Sequence, residues 1–251
     1  MKTDRQKETG NDLVFSYMTL RNLIGFSGML LPVILLLTTR HAPSDLRVEP
    51  SISDYYYTSN GDVLVVILSI LGVFLFTYKG YNIREFLLSS LAAVCALGVA
   101  FSPTATKYIR ESFSVHTSKS VVPEIAGLEI HLLFAATFFI SLAIIALVYF
   151  PKSDTGKSLQ ANKVWTQKDR RNLVYIISGC VMLGCVLILG LYFLINPFKE
   201  WIGNFPFIFV MESVAIEAFG ISWITKGESL WPDGEHYLIS FLKDPKKYLF
   251  H

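Results

Sequence analysis

Residues 51–81, SISDYYYTSNGDVLVVILSILGVFLFTYKGY, hold the pattern on which the reading of the whole chain turns. Three serines, two carboxylates (Asp54 and Asp62) and three consecutive tyrosines at 55–57 stand before a hydrophobic run, which Tyr78, Lys79, Gly80 and Tyr81 close. From Tyr57 to Tyr78 a helix takes 21 steps, or about 31 Å at ~1.5 Å each. The hydrocarbon core of a bilayer is about 30 Å thick. The tyrosines therefore read as aromatic anchors at the two water interfaces of one membrane-spanning helix.

Composition agrees with that reading over the full length. Of 251 residues, 52% are hydrophobic and only 17% charged, against roughly 25% charged in soluble domains. A net charge of +2 gives no basis for nucleic acid as a partner; the expected partner is the lipid bilayer. Cys95, Cys180 and Cys185 all lie within apolar runs, and an odd count argues against a disulfide framework. The polar, mixed start of the chain shows no cleavable signal pattern.

Working outward, charge-poor windows mark six spans: 22–39, 63–78, 86–101, 131–150, 174–195 and 205–225. The second window has only 16 residues, so its helix is expected to start near Thr58 and to draw Asp62 to the membrane boundary. The fold class is all-α, a polytopic six-helix transmembrane bundle. Its parts are a cytoplasmic segment 1–21, the bundle 22–225 and a cytoplasmic tail 226–251. Orientation follows from Lys and Arg: with both termini cytoplasmic, inside segments hold 16 of the 22 basic residues. Lys226, at the inner end of the last span, is expected to snorkel toward the headgroups.

Topology then sorts the chemistry. Spans two, four and six begin on the same, outer side, and their first turns carry Asp62, His131 and Glu212. Ser53, Asp54, Tyr55 and Tyr57 arrive there from the preceding loop, and Glu217 lies deeper in span six. These eight residues form the candidate ligand pocket. Each has a plainer role: Asp62 as a helix cap, His131 as a hydrogen-bonded boundary residue, the tyrosines as interface anchors. Glu217 near mid-bilayer must face the bundle, stay protonated or find a partner. Asp62, His131 and Glu212 are also the residue types that hold zinc, although no ligand spacing supports a metal and no cofactor is expected. G-x-S-x-G, H-E-x-x-H, a phosphate loop and paired C-x-x-C are all absent.

The runs LRNLIG, SISDYYYT, GDV, FLFTYKGY, FSPT, IHLLFAA and EAFGISWITKG resemble a group of uncharacterised bacterial multi-pass membrane proteins, the S-x-S-x-Y-Y-Y-T segment being the most specific. That resemblance implies a bacterial plasma membrane. A remoter similarity is to the membrane hydrolase superfamily that includes alkaline ceramidases, with Ser, Asp and His at one membrane face. The chain departs from it in having six spans and no H-x-x-x-H in the last. The leading expectation is a polar pocket at the outer face that binds a lipid or small molecule without chemistry. A metal-dependent lipid hydrolase and a proton- or ion-coupled carrier are the alternatives.

Overall fold

The computed structural model of the chain describes residues 12–39, 48–102, 124–125, 128–151, 167–203, 205–228 and 230. The described residues form helices α1 (Asp12–Thr38), α2 (Gly61–Thr77), α3 (Ile83–Phe101), α4 (Ile130–Ile144), α5 (Gln167–Leu194), α6 (Asn196–Ile202) and α7 (Phe207–Lys226). A 3-10 turn, Ser53–Tyr57, precedes α2, and α4 runs on into a π-turn, Ile145–Tyr149. Residues Glu124–Ile125 and Leu128–Glu129 make a two-residue antiparallel ladder just before α4.

Five of these helices are long and apolar enough to cross a membrane, the pattern of a multi-pass membrane protein: Tyr17–Thr38, Ile83–Phe101, Ile130–Tyr149, Gln167–Leu194 and Phe207–Lys226. The sixth, α2, is apolar but has 17 residues, about 26 Å of helix. It begins at Gly61 rather than near Thr58. The tyrosine segment winds separately as a 3-10 turn, and Thr58 to Asn60 turn the chain before α2 starts. A side chain at Gly61 would collide with the Tyr56 backbone, so the turn can be this tight only with glycine there.

The long helices and α2 pack as a closed ring, each against its neighbour, in the order α1, α2, α3, α4, α5, α7 and back to α1. Large buried side chains such as Leu31, Leu71, Leu142, Met182, Phe219 and Trp223 fill the middle. Their outer faces expose Leu37, Phe101, Leu187 and Leu194, each at least 67% accessible, which is what hydrocarbon rather than water would cover. Lipid offers no hydrophobic gain for helix association, so close packing through small residues has to supply it. The α1–α7 seam shows this: a Cβ on Gly25 would stand 2.8 Å from the Gly220 carbonyl oxygen, and one on Gly220 2.8 Å from that of Gly25.

Two expectations about the ends of the helices are overturned. Tyr55 and Tyr78 are fully buried, so they are packing residues and not interface anchors. Tyr78 is held by Tyr17, stacked at 5.5 Å, and by Trp223, edge-on at 4.8 Å. Lys226 does not snorkel outward. Its Nζ donates to the Phe150 carbonyl at 3.1 Å and lies over the rings of Tyr81 and Phe150 at 5.2 Å and Tyr175 at 5.7 Å. A ring face carries negative charge density, so three of them offer an ammonium a berth inside the protein.

Candidate functional site

The segment 50–53 is tied to the first turns of α7 by two backbone hydrogen bonds. Pro50 O accepts the Phe209 N–H at 2.9 Å, satisfying a donor that a helix start otherwise leaves free. Glu212 Oε2 accepts the Ile52 N–H at 2.7 Å. Within the turn, Ser51 Oγ accepts the Asp54 N–H at 3.1 Å, a side-chain closure that favours turn over helix. These bonds fix Ser53 where α4 meets the end of α3.

His131, in the first turn of α4, completes the arrangement. Its Nε2 lies 2.8 Å from Ser53 Oγ and its Nδ1 3.0 Å from the Ser102 carbonyl oxygen. Ser102 is the residue after α3 and precedes a proline, which disfavours helical backbone; its ψ of 123° leaves the carbonyl free to turn toward α4. A carbonyl only accepts, so Nδ1 carries the proton. In the neutral ring Nε2 is then bare, and the Ser53 hydroxyl must be the donor between the two. One backbone carbonyl thereby sets the tautomer of the ring and the direction of the hydroxyl.

Below this pair lies a cavity of about 30 Å³ lined by residues of α1, α2, α3, α4, α7 and the 50–53 segment. Its walls are apolar (Leu31, Leu68, Val99, Phe138 among them) except for Ser53 and Glu212. That volume admits one or two water-sized groups. A second, open groove of about 520 Å³ runs between α2 and the end of α3, with Tyr56, Thr58, Ser59 and Asp62 on its polar side and Val65, Val66 and Phe101 below.

The structure thus divides the eight sequence candidates. Ser53 and Glu212 come together at the cavity, and His131 is joined to it through the Ser53 hydroxyl. Asp54 sits beside them, partly buried in the same turn; burial raises its carboxyl from the ordinary value, its hydrogen bonds with Ser51 oppose that, and the Glu129 charge adds to the rise. Tyr55 packs its ring on Phe209 at 5.8 Å, and Tyr57 meets Tyr56 edge-on at 5.1 Å. Asp62 is exposed and faces the groove, away from the trio, and it does not cap α2, whose cap residue is Asn60. Glu217 lies five residues beyond Glu212, about 140° round the helix, and takes no part in the trio. Among the described residues no three His, Cys, Asp or Glu side chains gather where a metal ion would sit.

Sequence reasoning missed a second polar cluster, at the opposite end of the ring. Arg21 is 5% exposed, its guanidinium 4.4 Å from the Tyr17 ring centroid and its Nη1 3.4 Å from the Lys226 carbonyl. Glu85 is 1% exposed and accepts the Tyr78 hydroxyl at 2.7 Å and the Tyr81 N–H at 2.9 Å. Each of these charges stands at the edge of an apolar run, where sequence alone reads a boundary. Their burial becomes visible only when the ring of helices closes and brings the ends of α1, α2, α3 and α7 together. No protein-family model matches the chain, nor does any curated protein or solved structure.

Proposed function

We propose that this is a six-span membrane protein of the bacterial plasma membrane, both termini cytoplasmic, that binds an amphiphile at the outer mouth of the ring. The observation that supports the reading is an apolar cavity among five helices whose two polar lining residues are Ser53, bonded to His131, and Glu212. One hydroxyl and one carboxyl in an otherwise apolar recess suit a ligand with one polar group joined to aliphatic carbon. The free space is small, so occupancy requires Phe138 and Phe139, both in the cavity wall, to turn aside.

The test uses the full chain in detergent with 1-O-decylglycerol, whose ether bond cannot be hydrolysed. The expected result is a rise in thermal midpoint for the wild type that Ala135→Phe abolishes, because Ala135 lines the cavity and the larger ring fills it. No rise for the wild type up to the solubility of the ether, or an equal rise in both proteins, overturns the reading.

A further inference from the structure

We propose that Ser53 is a nucleophile and His131 its general base, and that the mouth transfers the acyl group of a carboxylic ester. This rests on the reading that an acyl-bearing amphiphile enters the cavity, and adds chemistry to it.

Three features of the geometry carry the inference. The Ser53 hydroxyl lies 2.8 Å from His131 Nε2, within reach for proton transfer. The Ser102 carbonyl at 3.0 Å from Nδ1 holds the ring in the one neutral tautomer that can take that proton. It is an orienting partner in the place where triads use a carboxylate. Ser53 also lines the cavity, so the residue stands beside the space an ester would occupy.

The steps balance without a co-reactant other than water. Ser53 Oγ attacks the ester carbonyl carbon as its proton passes to His131 Nε2. The tetrahedral adduct collapses, the carbon–oxygen bond to the alcohol breaks, and the alcohol leaves with the proton from Nε2. Water, or a second alcohol, then attacks the Ser53 ester, gives its proton to Nε2, and the acyl product departs as Ser53 takes that proton back. As the imidazolium forms, the Nδ1–H bond to the Ser102 carbonyl strengthens. Glu212 is a positioning residue here: by holding the Ile52 N–H it fixes the backbone next to Ser53.

A decyl fluorophosphonate tests this on the full chain in detergent, read by intact mass and peptide mapping. The expected result is one adduct, on Ser53, absent from Ser53→Ala and formed at least about 100-fold more slowly in His131→Gln, the scale of general-base assistance. Absence of an adduct, an adduct on another serine, or an equal rate in His131→Gln overturns the proposal. Should His131→Gln fail to fold, Ser53→Cys replaces it: modification of that thiol by a decyl methanethiosulfonate shows that reagent reaches position 53, and an unlabelled wild-type Ser53 then shows an unactivated hydroxyl. The ether experiment separates the two readings. A midpoint shift by 1-O-decylglycerol without a Ser53 adduct leaves binding and removes chemistry; an adduct without the shift does the reverse.

Discussion

At the scale of single residues, Asp54 and Gly80 show how local physics becomes measurable. Burial, against the opposing Ser51 hydrogen bonds, raises the Asp54 carboxyl in the folded chain above its unfolded value. The folded state therefore binds that proton more tightly. Its contribution to stability is fully present below the unfolded value near 3.8 and is lost as pH rises through the folded one. Asp54→Asn, which keeps the shape and cannot ionise, should raise the thermal midpoint at pH 7 and leave it unchanged near pH 3. Gly80 has φ of 62°, and a Cβ there would stand 2.6 Å from the Glu85 carboxyl carbon. Gly80→Ala should destabilise by at least about 1 kcal/mol from the backbone alone, seen as a lower midpoint and faster loss in detergent. The sequence of this turn, YKGY, was read as the end of a span. Nothing in four letters tells that the glycine is also the floor beneath a buried glutamate five residues on.

Elements explain what was legible and what was not. Hydrophobic windows located α1, α3, α4, α5 and α7 because a span must hide its backbone polar groups inside one long helix. The alternation of span direction put residues 53, 131 and 212 at one end for the same reason. Which of them touch depends on helix rotation, and rotation is set by seams such as Gly25 on Gly220, which no periodicity announces. The Ser53–Tyr57 turn was hidden too: three tyrosines before an apolar run look like an interface belt, yet Tyr55 is drawn under the α7 start by Phe209. Replacing Gly25 by Ala sets a methyl group against Gly220 O and Ile224 at 2.8 and 2.6 Å. Such overpacking costs about 1–3 kcal/mol. The expected effect is a lowered midpoint, and Gly220→Ala combined with it should add less than its own separate effect, because both act on one seam.

For the whole molecule the testable statement is orientation. In the topology we propose, both termini lie on the cytoplasmic side, which the count of basic residues favours, and the 17-residue α2 is the short member of six crossings. Reporters fused at either end should both be active in the cytoplasm, and a cysteine inserted after residue 79 should also be alkylated from that side. Opposite locations for the two termini would mean that α2 does not cross. Even with six crossings, the two ends of the ring differ in character. The mouth pairs a hydroxyl, an imidazole and a carboxyl beside a gap, whereas the other end packs the buried Arg21, the half-buried Lys226 and a buried glutamate among aromatic rings.

The closure of the ring by α1 against α7 has a consequence for biosynthesis. A ribosome delivers α1 first and α7 last of these helices. Throughout synthesis of the intervening segments, the Gly25 face of α1 has no partner, and Arg21, although it can gather the rings of Tyr17, Tyr78 and Tyr81, lacks the Lys226 carbonyl. The nascent protein thus carries a bare glycine seam and an unmet Arg21 donor until its final span is inserted. A chain arrested before α7 would hold those features permanently, giving the cell's membrane proteases a signal that the intact protein conceals.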